Sequence, residues 1–461
     1  MNTTSQGTEA RWFQELRTDF GDAVIGPDDA AYDEARKVFY SGIDRRPAAF
    51  VRPADAPAVA RAVTLARKSG LELAVRSGGH SVVGYGICDG GIVLDLSRLR
   101  GLDIDADDRT AWAGTGLTAG EYTAAVGAHG LATGFGDAPS VGIGGITLGG
   151  GIGFLHRKFG LTIDSLVAAE VVTADGSIVH TDADTHPDLF WAIRGGGGNF
   201  GVATRFRFRL HEVGAVYGGM LILPATADAI ASFVSEALNA PDPLTCIAMV
   251  MPAPPMPFIP AEQHGRPIIF AQFVYAGPSD AGERALAPFR ALATPIIDGL
   301  RTMQYHEVYE QGEAPRPAAV AVRNVFTDRL DRAAAETILD HLERSDAPMR
   351  IAQIRVLGGA VARVPEDATA FAHRKTPLMV ILAAAYNDMA QESTHEAWVS
   401  QFAARLPGVR PGAYVGFLGR DGAERMREAY PGATWDRLAA IKARYDPTNL
   451  FHRNGNIPPT E

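Results

Sequence analysis

A single histidine stands in a glycine-rich corner of this chain, in the stretch Ala74-Val75-Arg76-Ser77-Gly78-Gly79-His80-Ser81. A strand-like run from Leu71 to Arg76 stops at Ser-Gly-Gly and then presents an imidazole. Small residues at such a corner let backbone N–H groups close around a phosphate. An imidazole beside that nest meets whatever the phosphate carries. No cysteine and no second histidine lies near His80, so its surroundings do not resemble a metal site. Taken alone, a loop histidine is equally well read as an ordinary hydrogen-bonded residue.

Two more glycine runs give the corner its context. Val141-Gly-Ile-Gly-Gly-Ile-Thr-Leu-Gly-Gly-Gly-Ile-Gly153 is too dense in glycine to be a helix interior. We read it as a loop whose backbone donors lie against a large planar or pyrophosphate ligand, in preference to a simple packing corner. Gly196-Gly-Gly-Asn-Phe-Gly201 matches G-x-G-x-x-G, but a dinucleotide fingerprint must open a helix. Here Phe206, Phe208 and Leu210 alternate with Arg205, Arg207 and Arg209, the period of a strand with one wet face. A nicotinamide fold is therefore disfavoured.

The 461 residues are enough for two or three domains, and 46% hydrophobic with 21% charged residues is ordinary globular composition. A net charge of -10 without a basic block argues against a nucleic-acid partner. With only Cys88 and Cys246, a disulfide framework is not expected. Met1 to Gln6 shows neither a basic n-region nor an apolar h-region. The longest apolar run, Leu378 to Tyr386, is too short to cross a bilayer, so a soluble cytoplasmic protein without a membrane partner is expected.

The elements that must position the glycine segments can be read in outline. Residues 48 to 76 spell strand, helix, strand, with Asp55 as N-cap and Gly70 at the helix end. Another strand follows at 91–97. Thr118-Ala-Gly-Glu121 is a capping box for a helix ending at Gly130, and 166–181 is a hairpin around Asp175-Gly176. A short helix from Pro187 to Arg194 leads into the Gly195–Gly201 run. After Val213 the glycine clusters vanish and apolar strands alternate with Ala/Arg/Glu-rich helices. Strands are expected at 268–275, 350–357, 378–386 and 413–418, and a helix near Trp435–Arg444.

Together, Arg76-Ser-Gly-Gly-His80 with Gly84-Tyr85-Gly86, Asp89–Leu96, the 141–153 run, Ile163-Asp164, Gly195–Gly201 and Asn454-Gly-Asn456 resemble the berberine bridge enzyme-like flavoproteins. These belong to the vanillyl-alcohol oxidase, or p-cresol methylhydroxylase, superfamily. The resemblance spans about residues 30 to 457. It implies an α+β fold with a two-subdomain FAD-binding domain of the p-cresol methylhydroxylase type over 1–213, its core at 46–213. A substrate domain of antiparallel sheet backed by helices would take 214–418, and 419–461 would return to the FAD domain.

The resemblance also implies the cofactor contacts. His80 matches a histidine bonded to the 8α-methyl of the flavin. Some relatives add a bond from a cysteine where this chain has Ala138, so attachment through His80 alone is expected, with Cys88 structural. The other implied FAD contacts are Arg76, Ser77, Gly78, Gly79, Ser81, Gly84, Ser140, Val141, Gly142, Gly144, Gly145, Gly149, Gly150, Gly151, Gly153, Asp164, Gly201, Val202, Asn454 and Asn456. Val141 matches a position that governs oxygen access, which points to molecular oxygen as acceptor and hydrogen peroxide as product.

Hydride transfer to a flavin requires a C–H held over the ring and usually a base. In plant members the base is the last tyrosine of a Tyr-x-Asn-Tyr strand. Here the segment reads Tyr414-Val-Gly-Phe417, and the acidic partner on a neighbouring strand looks replaced near Val380. Phe417 accepts no proton. Either the substrate is an amine, which loses its proton to water first, or another residue is the base. Gln353 and Arg355 share a strand face, Tyr386 and Tyr414 are the nearest phenols, and Tyr305 and His306 are further candidates. Arg355 would suit a substrate carrying a carbonyl, phenolate or carboxylate. The leading reading is an oxidase of a small cyclic or aromatic amine or alcohol. A dehydrogenase with another acceptor and a flavin-binding protein without turnover remain the alternatives.

Overall fold

The computed structural model describes residues 3–310 and 317–460. Met1 and Asn2, the start of the stretch read for a targeting signal, lie outside them, and the helix Thr3–Phe20 follows. Among the described residues no helix is long and apolar enough to cross a membrane.

The chain builds three main sheets. The first has four strands, in the order Val24–Ile25, Ala49–Val51, Ile92–Asp95, Leu73–Arg76, with the last three parallel. Parallel neighbours need a crossover, and the helix Ala56–Ser69 supplies it. Asp55 caps its start by accepting from the Ala58 N–H, and Gly70 ends it at φ 67°. Val59, Ala62, Val63 and Ala66 are buried against the sheet.

The second sheet has five antiparallel strands: Leu102–Asp105, Thr110–Gly114, Val202–Arg209, Leu166–Val172 and Ile178–Asp182. The arginine alternation behaves as the period of two requires: Phe206 and Phe208 are fully buried, while Arg205 and Arg207 are half-buried and Arg209 is exposed. The capping box at Thr118 and Glu121 forms and starts the helix Ala119–Gly127.

The third sheet has nine strands, all between Ala215 and Arg410, and every pairing is antiparallel. One face is an apolar floor for the helices Ala227–Asn239, Ser279–Arg290, Arg332–Arg344 and Glu392–Arg405. Ala352, Ile354, Val356, Leu378, Val380 and Leu382 point to that side. The alternate residues, Met379, Ile381 and Ala383, pack with Ile152, Phe371 and Tyr414 on the other. We call this second face the inner face.

Two expectations about local structure fail. The glycine-dense run is not all loop: Ile143–Gly149 is a helix. Each glycine there costs roughly 1 kcal/mol of helix propensity, but tertiary packing decides short helices. Ile143 is buried in the core, and a Cβ on Gly144 would lie 3.0 Å from Ser77. Close approach therefore selects the glycines, and helicity survives them. Residues 413–418 are not a strand either. The Tyr414 N–H donates to Asn324 Oδ1 (2.7 Å), and Asn324 Nδ2 donates to the carbonyls of Tyr414 (3.1 Å) and Phe417 (2.8 Å). One buried amide thus captures the segment and curls Val415–Phe417 into a 3-10 turn.

Candidate active site

The fold brings the separated glycine segments together. Gly78 and Gly142 touch backbone to backbone: a Cβ on Gly78 would lie 2.2 Å from Gly142 N, and one on Gly142 2.2 Å from Ser77 Oγ. Ser77 Oγ donates to the Thr115 carbonyl (2.6 Å) and accepts from the Gly144 N–H (3.3 Å). The Gly195 N–H donates to the Leu148 carbonyl (3.0 Å). Asn454 Nδ2 donates to the Gly198 carbonyl (3.0 Å), and Asn199 Nδ2 to that of Gly455 (3.1 Å). The tail is further fixed by Arg453, which donates to the carbonyls of Ile87 (2.6 Å) and Gly84 (3.4 Å). His80 sits half-buried at this junction, its ring stacked on Phe39 at 4.1 Å between centroids and 28° between planes. Ser81 Oγ accepts from the Tyr85 N–H (3.2 Å), which closes the turn after the histidine.

These residues fit a large polar cofactor. Ser140 Oγ, Asn454 Oδ1 and Asn456 Oδ1 are buried without a hydrogen-bond partner. Buried polar atoms are nearly always satisfied, so these three are open to hydrogen bonds from a bound cofactor. Gly145 is exposed and a Cβ there would meet nothing within 4 Å. Among the described residues, no three His, Cys, Asp or Glu side chains gather to hold a metal.

Other implied contacts also have structural work. Asp164 is spent on Arg374 in a bidentate pair at 2.7 and 3.0 Å, and it also accepts from the Leu161 N–H. A Cβ on Gly153 would fall 1.1 Å from the Phe135 carbonyl oxygen, and one on Gly151 2.0 Å from Thr162 Oγ1. Gly201 at φ 152° lies against Val171, Val202 is buried in its strand, and Gly150 packs on Tyr414 and Phe371. Gly79 and Gly84 hold positive φ values of 70° and 71°, which glycine adopts without strain. Arg76 is buried and pairs with Asp95 (2.8 Å) while donating to the Ala35 carbonyl (2.7 Å). Gly149 approaches Val415, and the Val141 carbonyl accepts from the Ala119 N–H (2.8 Å). Cys88 is fully buried, and burial pushes its thiol up to about 12, which suits a structural role.

Opposite the glycine segments, the inner face supplies Gln353 and Arg355 as expected from their spacing. Arg355 is 1% exposed. Its Nε donates to Gln353 Oε1 (3.0 Å), Nη1 to the Ile152 carbonyl (2.9 Å) and Nη2 to Asp137 Oδ2 (2.7 Å), and its Cζ lies 5.1 Å from the Phe417 ring centre. Three of its five N–H groups are so occupied, one of them by the Asp137 carboxylate.

The phenols separate. Tyr386 lies on the helix side of the sheet with Ala321 and Val399, its ring tilted 31° to that of His395, so it does not lie on the inner face. Tyr414 does lie on the inner side. Its hydroxyl accepts from the Gly151 N–H (3.0 Å), and burial raises its pKa, which makes it a pin for the glycine segment and a poor base. Tyr305 is buried with its hydroxyl 3.4 Å from that of Tyr309, which in turn donates to the Gly136 carbonyl (2.9 Å). His306 lies beside Gly127 in the capped helix. Phe39, Asp137, Asn324 and Tyr309 were not found from sequence, because none carries a motif; each is placed by a contact distant in the chain.

The comparisons with known proteins agree with this geometry. Residues 47–182 match a family model described as FAD binding domain, and 413–458 match one described as Berberine and berberine like. The chain is 31% identical to (R)-6-hydroxynicotine oxidase of Paenarthrobacter nicotinovorans, over 95% of this chain and 96% of that one. It is 29% identical to a xylooligosaccharide oxidase of Thermothelomyces thermophilus, over 90% and 88%. The crystal structure of 6-hydroxy-D-nicotine oxidase from Arthrobacter nicotinovorans superposes with a TM-score of 0.85 at 28% identity, covering 95% and 98% of the two chains. Fold and site thus define a flavin-dependent oxidoreductase. The chain belongs to the berberine bridge enzyme-like FAD-linked oxidoreductases.

Proposed function

We propose that this chain is an oxidase that holds one FAD, tethered through His80 alone, and oxidises a small cyclic or aromatic amine or alcohol with molecular oxygen as acceptor. When bound, the flavin would supply the hydride acceptor and pass the electrons to oxygen, yielding hydrogen peroxide. Residues 1–213 with 419–461 would cradle the cofactor, and 214–418 would roof it. The observation that carries this reading is the set of unpartnered buried atoms, Ser140 Oγ at the Gly78–Gly142 contact and Asn454 Oδ1 and Asn456 Oδ1 on the tail that bonds to Gly198. Support for an oxidase comes from the named relatives that are oxidases of 6-hydroxynicotine and of xylooligosaccharide. In the proposed complex Phe39 holds the His80 ring, the Gly78–Gly142 contact shapes the cradle, and Arg355 fixes the roof to the glycine segments through Ile152 and Asp137.

Acid precipitation of the purified protein tests the tether. Colour is expected in the pellet for the wild type and in the supernatant for His80→Ala. A colourless wild type after expression with ample riboflavin would end the proposal. The acceptor is tested by reducing the protein with substrate without air: fast recovery of the absorbance on admitting oxygen supports an oxidase, and slow recovery a dehydrogenase.

A further inference from the structure

The pair between roof and cradle is unequal. The Arg355 side chain is 2% exposed and that of Asp137 28%. Each of the three guanidinium nitrogens donates one hydrogen bond, as described above. Asp137 gives one oxygen, Oδ2, to Arg355 (2.7 Å), and no hydrogen bond among the described residues takes Oδ1. The junction therefore leaves one carboxylate oxygen without a protein donor, on a part-exposed side chain paired to a buried cation. Along the strands from Arg355 and Gln353 the inner face becomes apolar and half-open. Met249 lies opposite Gln353 in register and Ile247 opposite Arg355. Met220, Met249, Phe270 and Ile351 are only half-buried there, unlike Met379 and Ile381 further along the sheet. Methionine-rich apolar surface adapts to varied ring shapes.

We infer that Asp137 is the cation-recognising residue of the substrate site. It takes the protonated nitrogen of a small amine whose apolar body lies on Met249, Phe270 and Ile351. This rests on the flavin reading above and sharpens its substrate class. A carboxylate substrate would face an anion, and a neutral alcohol would forgo the charge-assisted bond. The assignment also suits Phe417, since an amine needs no phenolate base to become an electron donor once its proton has gone to water.

The test uses the flavin-loaded protein without air, titrated with benzylamine and with its neutral analogue benzyl alcohol while the flavin absorbance is followed. Wild type should bind benzylamine at least ~10-fold more tightly than benzyl alcohol, the worth of a hydrogen bond to a charged group. Asp137→Asn should weaken the amine ~10-fold or more and move the alcohol less than ~2-fold. Asp137→Glu should recover part of the amine preference. An Asn variant that weakens both probes alike, or a wild type without amine preference, would overturn the inference. Because Asp137→Asn is nearly isosteric, retained colour in its acid pellet verifies that the cradle is intact. A coloured wild type without amine preference sinks this inference alone, whereas a colourless wild type sinks it together with the flavin reading.

Discussion

The glycine cradle and the inner face of the large sheet oppose each other, yet they are built by different rules. The cradle is made of contacts that only a missing side chain permits: Gly78 on Gly142, Gly144 on Ser77, Gly153 on Phe135. The inner face is made of side chains whose meaning depends on which way a strand faces. Gln353 and Arg355 look inward, while Tyr386 looks into the helix layer. Shifting a strand by one residue exchanges the two faces. The cradle is thus specified residue by residue in the sequence, and the roof only by the sum of its pairings.

The largest effect should come from breaking the cradle. Gly142→Val would drive a Cβ into Ser77 Oγ and Gly78 N, at 2.2 and 2.3 Å, where backbone has no room to yield. Flavin content per folded protein should fall at least ~10-fold, with a cost of several kcal/mol from overpacking and backbone shift. Gly145→Leu sharpens the point, because a Cβ there meets nothing. It should melt as the wild type does without flavin, yet retain less flavin, measured by absorbance. Full flavin in Gly145→Leu would remove that helix from the cofactor site.

On the roof, Arg355→Met should cost about 2–3 kcal/mol in denaturant unfolding, since it removes the charged bond to the part-exposed Asp137 and frees the Ile152 carbonyl. Tyr414→Phe should cost about 1 kcal/mol, the loss of the acceptor for the Gly151 N–H. Tyr386→Phe, on the far face of the same sheet, should leave the flavin spectrum unchanged. If Tyr386→Phe alters that spectrum and Tyr414→Phe does not, the facing assigned to the sheet is wrong.

A titration links cradle to roof. His156 is buried between the carbonyls of Gly153 (2.5 Å) and Val356 (3.0 Å), and burial lowers its pKa to about 4 from an ordinary 6.5. The folded state therefore resists a proton that the unfolded chain accepts. Its contribution is complete above pH 6.5 and is lost as the pH falls toward 4, on the order of 2–3 kcal/mol. Thermal unfolding between pH 7 and 4 should show a steeper loss in the wild type than in His156→Gln. Equal slopes would assign the acid sensitivity elsewhere, to His211 among others, whose pKa burial also lowers to about 4.

Much of the cradle was legible because glycine spacing is local information. The order Ser77-Gly78-Gly79-His80, the capping box at Thr118 and the alternation at Arg205–Arg209 each name their own structure. The helix at Ile143–Gly149 was not legible, because propensity opposes it and only contacts with Ser77 and the core explain it. The turn at Val415–Phe417 was missed for a similar reason: Asn324, 90 residues away from Tyr414, dictates it through three hydrogen bonds. Asp164 has a structural duty the sequence did not show, because its partner Arg374 lies 210 residues on. Asp137 carried no motif, and its role emerges only from the unequal burial of its ion pair.

The intact mass of the denatured protein, taken for wild type and His80→Ala in parallel, bears most directly on the covalent tether. The account requires the wild type to be heavier than its polypeptide by one FAD, and His80→Ala to have the mass of polypeptide alone. Bare polypeptide in the wild type, or an added flavin that survives loss of the imidazole, would contradict it.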